Sequence, residues 1–92
     1  MEQSKMTIEI LSKDDILIRI VKFAETTPSI LDKLVRIEDY EHRGNRDDAI
    51  LYRARLAVTL TNTVFATKSH YVSKLVYEVL RDNPFIIHLA TK

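Results

Sequence analysis

Residues 45–82 read NRDDAILYRARLAVTLTNTVFATKSHYVSKLVYEVLRD, and this stretch, which contains neither glycine nor proline, decides the fold. Its apolar residues recur in adjacent pairs about every seven positions, which places them on one side of an α-helix. The pairs are Ile50/Leu51, Ala57/Val58, Val64/Phe65 and Tyr71/Val72, followed by Val79. An unbroken helix of this length, at 1.5 Å per residue, would span about 57 Å, far more than a compact domain of this size. The helix must therefore break or pack against a second chain.

The weak point of this stretch is residues 58–67. Four threonines and Asn62 fall there, and all of them are poor helix formers. The apolar spacing nevertheless continues through the segment, so we predict one long helix from about 46 to 82, with a kink near Asn62 as the alternative. If the chain breaks, Ser69 is the residue that would cap a second helix.

Two shorter helices are predicted before this stretch, over residues 12–26 and 28–43. Ser12 followed by acidic residues fits a capping box at the start of the first helix. Thr27 and Pro28 suit the start of the second helix, because proline is tolerated at the first helical position. Gly44, the only glycine, lies where a left-handed residue is needed to end that helix.

The two ends of the chain are less regular. Residues 6–11 alternate polar and apolar side chains, which suits a short strand or an extended lead-in. Pro84 ends the long helix, and the residues after it could form a strand pairing with 6–11 or a final helical turn. The fold class is therefore all-α: a three- to four-helix bundle with possible short terminal strands, forming a single helical domain over residues 1–92. The predicted core, centred near Phe65, is Ile20, Leu34, Val58, Phe65, Val72 and Leu75.

Composition excludes several kinds of site. There are 14 Lys and Arg against 13 Asp and Glu, so bulk charge alone does not hold this chain to nucleic acid or anionic lipid. The absence of cysteine excludes disulfides, thiolate metal sites and cysteine nucleophiles. With one glycine, a phosphate-cradling loop is not expected, and neither is a cofactor. No secretory leader or bilayer-spanning run is apparent, so we expect a cytoplasmic protein without membrane contact.

One acidic cluster has the residue types of a metal site. Glu38, Asp39, Glu41 and His42 lie within helical reach of one another, and carboxylate–histidine sets on bundle helices can hold transition metals. Such sites take a matching set from a second helix, and the sequence contains none. We therefore interpret the cluster as a solvated helix end and expect no metal.

The segment from Arg81 to His88 has an arginine, a polar residue directly after it and a histidine further on. This spacing resembles the Arg…His motif of the HEPN ribonucleases, and the resemblance covers this short motif and the general helical character. It implies a dimeric helical domain in which Arg81 and His88 act on an RNA phosphodiester. The chain departs from that pattern in two ways: Pro84 interrupts the spacing, and only four residues follow His88 where that family continues a helix.

Basic residues repeat along the long stretch. Arg46 and Arg53 are seven apart, as are Lys74 and Arg81, and side chains aligned in this way can track a phosphate backbone. These four residues form the candidate nucleic-acid face. Acidic residues lie among them, which is typical of an ordinary solvated helix face.

We predict a non-enzymatic helical module that self-associates and binds another macromolecule, a protein, as a regulator, adaptor or inhibitor. The alternative is a nucleic-acid-binding accessory protein, and the second alternative is a HEPN-like ribonuclease. We expect self-association because the two short helices cannot cover the whole apolar stripe of the long helix. An exposed apolar stripe of this kind usually marks an association surface. The candidate interface of the resulting homodimer is Tyr71, Val72, Leu75, Val76 and Val79.

Overall fold

The computed structural model describes residues 12–91, and every regular element in that range is a helix. The elements are α1 (Lys13–Glu25), α2 (Pro28–His42), α3 (Arg46–Thr63), α4 (His70–Asp82) and α5 (Ile86–Ala90). The all-α class and the helical bundle are thus confirmed, but residues 12–91 form five helices rather than three or four, because the long helix is divided and the tail is helical. The strand proposed for residues 6–11 lies outside the described range. A strand in the tail is wrong, because those residues form the short helix α5, as the final-turn alternative had it.

The predicted ends of the two shorter helices are confirmed in detail. The Ser12 hydroxyl accepts a hydrogen bond from the backbone N–H of Asp15 at 3.1 Å, which caps α1. Pro28 is the first residue of α2, after Thr27. Gly44 has φ of +80°, the left-handed conformation that glycine adopts without steric cost. These local signals fix where α1 and α2 begin and end.

The long helix is where the structure departs from the sequence prediction, because it is broken into α3 and α4. Thr61 and Thr63 donate their hydroxyls to carbonyl oxygens one turn earlier, at 2.7 and 2.8 Å. Such side-chain bonds compete with the backbone ladder and favour a helix end. Ala66 then turns the chain with φ of +50°, and the Ser69 hydroxyl caps α4 by accepting from the N–H of Val72. The molecule's longest dimension is accordingly 45 Å, shorter than the unbroken helix would be.

Replacing Ala66 by glycine tests this break, because the change in the free energy of unfolding should differ between a broken and a continuous helix. In a helix interior, Ala→Gly costs about 1 kcal/mol. At a left-handed position, glycine relieves backbone strain of about 1–2 kcal/mol. Against this gain, glycine stabilises the unfolded chain by roughly 0.4–1 kcal/mol, because it gives that chain more conformational freedom. We expect A66G to keep or raise the free energy of unfolding measured in urea. A loss near 1 kcal/mol would favour the continuous helix.

The helices enclose one core. α3 packs against α4 and α2, while α1 lies against α2, α4 and α5. Of the six predicted core residues, Ile20, Leu34 and Val72 are buried and Leu75 is partly buried. Two predictions are wrong. Val58 is 51% exposed, and Phe65 is only partly buried in the α3–α4 connection, with the Arg19 guanidinium 4.8 Å from its ring centre.

The error at Val58 has its origin in the polar residues of α3. The buried face of this helix consists of Ala49, Arg53, Leu56, Ala57, Leu60 and Thr61. Two of these residues are polar and two are small, so apolar spacing does not reveal the face. Thr61 can be buried because its hydroxyl is bonded to the Ala57 carbonyl. The more apolar Ile50, Leu51 and Val58 are about half exposed instead.

The break also changes the candidate dimer interface. Val72, Val76 and Val79 are buried inside the single chain, at 1% exposure or less, so this conformation does not offer them to a second copy. Of the five residues, Tyr71 is exposed and Leu75 partly buried. Because α4 folds back on α3, its apolar residues are covered within one chain, and an uncovered stripe on a long helix is no longer a reason to expect a dimer. Self-association itself stays a prediction.

Within residues 12–91, the helices are too short or too polar to traverse a bilayer.

Candidate functional site

Two adjoining cavities open between α2, α3, α4 and α5, and we call them together the arginine groove. Both are lined by Glu41, Arg53 and Arg81. The apolar cavity, of about 200 Å³, is lined in addition by Leu34, Ile37, Glu38, Leu80, Asn83, Pro84, Ile86 and Ile87. The basic cavity, of about 260 Å³, is lined in addition by Arg46, Ala49, Ile50 and Tyr77.

Arg53 lies at the centre of the groove and is only 6% exposed. Its position on the inner face of α3 directs it toward α2 and α4. Its guanidinium forms an ion pair with the carboxylate of Glu41, a residue at the end of α2 that is itself half exposed. The guanidinium carbon also lies 5.9 Å from the centre of the Tyr77 ring, a cation–π distance. The sequence marked Arg53 as basic but gave no sign that it would be buried.

Arg81 and Arg46 lie at the rim of the groove, and both are exposed. Arg81 holds Asp82 by two contacts, Nε–Oδ1 at 2.9 Å and Nη2–Oδ2 at 3.3 Å. These hydrogen bonds keep the pKa of the Asp82 carboxyl below its ordinary value, so the pair stays ionised. Arg46 makes no ion pair with any residue between 12 and 91.

The structure thus brings together three of the four residues of the candidate nucleic-acid face. Arg46, Arg53 and Arg81 line the basic cavity, whereas Lys74 lines neither cavity. The seven-residue spacing was informative for the arginines because each of them lies on the groove side of its helix. Lys74 is exposed elsewhere on α4.

The three carboxylates of the α2 acidic cluster lie beside different side chains. Asp39 pairs with Arg43 at 3.2 Å, Glu41 pairs with Arg53, and Glu38 lies 3.6 Å from Nε2 of His88. Across residues 12–91, no three potential metal ligands converge. Asp39 and Glu41 act as ion-pair partners of arginines in this structure.

The two residues of the HEPN-like motif lie on different helices. α4 ends at Asp82, and the Asn83 side-chain amide donates to the Val79 carbonyl at 2.7 Å, closing that end before Pro84. Arg81 is held by Asp82 at the end of α4, and His88 lies on α5 beside Glu38. A helix end therefore lies between Arg81 and His88 along the chain.

The size of the cavities limits what they can hold. Sites for drug-sized ligands and cofactors typically measure about 300–1,000 Å³. Each cavity of the groove is smaller than this, at 200 and 260 Å³. A cavity of roughly 150 Å³ is enough for benzene, so each half of the groove can take one large side chain.

No protein family, curated protein or solved structure matches this chain.

Proposed function

We propose that the protein is a non-enzymatic helical module that binds a segment of another protein in the arginine groove and also self-associates, in a regulatory, adaptor or inhibitor role. The observation that carries the proposal is Arg53, a nearly buried guanidinium that lines both the apolar and the basic cavity. Charged side chains are seldom buried, and burying a charge has a desolvation cost that a partner only partly offsets.

The hydrogen-bonding capacity of Arg53 supports a ligand beside it. A guanidinium has five N–H donors in a planar fork, and one carboxylate engages at most two of them in a bidentate pair. Glu41 therefore leaves donors of Arg53 available in the cavities that the side chain lines. Recognition sites commonly combine an apolar wall with a few fixed polar groups, as this groove does.

A protein partner suits the groove better than nucleic acid. Contact with a phosphate backbone needs basic side chains spread along an accessible surface, but Arg53 is buried and Lys74 lies outside the groove. Glu38, which lines only the apolar cavity, would repel a polyanion that runs along the whole groove. The buried walls of the groove, by contrast, match the apolar side chains of a peptide.

Self-association is the second part of the proposal, and the outer face of α3 is the surface that supports it. Leu51 is half exposed there, between the charged Asp47 and Arg55, and Val58 is half exposed one turn beyond Arg55. A two-fold axis at Leu51 would pair each Asp47 with Arg55 of the second copy, burying the apolar residues between them. A mass of 10.7 kDa at tens of micromolar, from light scattering after gel filtration, would remove this part of the proposal.

The groove is tested by selecting random displayed peptides on the full chain and then titrating an enriched peptide into ¹⁵N-labelled protein. We expect the largest amide shift changes at residues lining the apolar cavity, such as Leu34, Ile37 and Ile87, because a bound side chain alters their surroundings. Amide shifts map the site without any substitution in it.

Two results would contradict the proposal. One is the failure of any peptide to be enriched over an unrelated helical protein of the same charge. The other is a set of shift changes confined to surfaces away from the groove, such as the outer face of α3.

A further inference from the structure

We infer that the arginine groove recognises a carboxylate side chain, Asp or Glu, lying next to a large apolar side chain in the partner's peptide. This inference rests on the proposed function and specifies the chemistry of its ligand. The basic cavity takes the carboxylate, and the apolar cavity takes the neighbouring side chain.

The charges of the basic cavity, counted with their ion-pair partners, favour a ligand with a single negative charge. Arg53 is balanced by Glu41, and Arg81 is balanced by Asp82. Arg46, which lines the basic cavity, has no ion pair within residues 12–91, so one positive charge remains uncompensated. A carboxylate carries one negative charge, whereas a phosphate monoester carries about −1.5 to −2 at neutral pH. The carboxylate therefore balances the site.

The geometry of the donors suits the same group. Arg46, Arg53 and Arg81 approach one cavity from α3 and α4, so an anion inside it can meet guanidinium groups from two helices. Arginine–carboxylate contacts are bidentate and about twice as strong as neutral hydrogen bonds. The nearly complete burial of Arg53 lowers the surrounding dielectric and strengthens its contact with the ligand.

The apolar cavity defines the second part of the ligand. Its walls include Leu34, Ile37, Leu80, Ile86 and Ile87, each at most 8% exposed. A volume of 200 Å³ fits one Leu, Met or Phe side chain. Because Glu41, Arg53 and Arg81 line both cavities, the carboxylate and the apolar side chain must come from neighbouring positions of the peptide.

The test uses the peptides selected on the full chain and their sequences. We expect an acidic residue beside a large apolar one to recur in them. Glu→Gln or Asp→Asn in such a peptide should weaken binding about tenfold or more, because a hydrogen bond to a charged group is lost. Arg46→Ala in the protein should weaken binding of the acidic peptide about tenfold and weaken binding of its amide version much less. Arg43→Ala is the matched control, since Arg43 is an exposed arginine that lines neither cavity, and it should change affinity less than about twofold.

The outcomes separate this inference from the proposed function. Groove-binding peptides without a recurrent acidic residue, or equal binding of the acid and amide versions, would overturn the inference while the groove remains a peptide site. Displacement of the peptide by a single-stranded RNA, weakened equally by Arg46→Ala and Lys74→Ala, would overturn it in favour of phosphate recognition. The absence of any groove-binding peptide would overturn both.

Discussion

Replacing Leu60 by alanine should lower the free energy of unfolding by about 2–5 kcal/mol, the usual cost of truncating a fully buried leucine. Leu60 is completely buried in the last turn of α3, among residues of the core. Its removal both returns apolar area to water and leaves a cavity that the packed helices cannot close. For a domain whose whole stability is about 5–15 kcal/mol, this is a large fraction.

The matched control for Leu60 lies two residues earlier on the same helix. Val58→Ala removes apolar carbon from a side chain that is half exposed, so we expect a change of at most about 0.5 kcal/mol. Urea unfolding of the two variants, followed by circular dichroism, gives both values under one set of conditions. Equal losses would show that the buried face of α3 is misassigned and would favour the spacing that places Val58 in the core.

Replacing Val76 by glutamate should unfold the chain or destabilise it by about 3–5 kcal/mol or more, since it places an unpaired carboxylate in the core. Val76 is completely buried within the single chain. Tyr71→Glu on the same helix is the control, because Tyr71 is 59% exposed and a charge there stays in water. We expect only the Tyr71 variant to keep the far-ultraviolet dichroism and cooperative melting of the wild type.

The Val76 variant also tests the candidate dimer interface that the sequence predicts, whose residues lie on α4. If Val76 covered a second copy, Val76→Glu would give a folded monomer from an oligomeric wild type. A soluble, cooperatively folded Val76→Glu chain with a lower mass than the wild type would therefore contradict the structure and restore the long helix.

The sequence predicts the helix ends well, because their causes are local. Ser12, Pro28 and Gly44 each act within one turn of their own position, through a hydroxyl cap, a fixed φ and a left-handed φ. The sequence indicates a possible kink near Asn62, close to the break after Thr63. It does not decide between that kink and a continuous helix, because the outcome depends on whether the packing of α4 onto α3 outweighs the continuous apolar pattern.

The site was less predictable because it depends on tertiary partners. The sequence placed Arg46, Arg53 and Arg81 on one basic face, and the structure does gather them. It could not show that Arg53 is buried, because the partner that makes this possible, Glu41, comes from another helix. Nor could the sequence exclude Lys74 from the basic face, because Lys74 and Arg81 are seven residues apart, as are Arg46 and Arg53. Apolar spacing failed on α3 for the same reason: the pairing that lets a polar side chain be buried is not visible in the pattern.

The connection between α3 and α4 has a consequence for the order in which the chain acquires its structure. α3 and α4 pack extensively and are joined by residues 64–69 alone, so their contacts close a short loop at small entropic cost. α1 reaches α4 only from far along the chain, as in the 2.8 Å contact of Lys13 with Glu78. Contacts between distant segments form late and slowly. The hairpin of α3 and α4 should therefore form first and act as the template onto which α1 docks, so substitutions on α1 should chiefly speed unfolding.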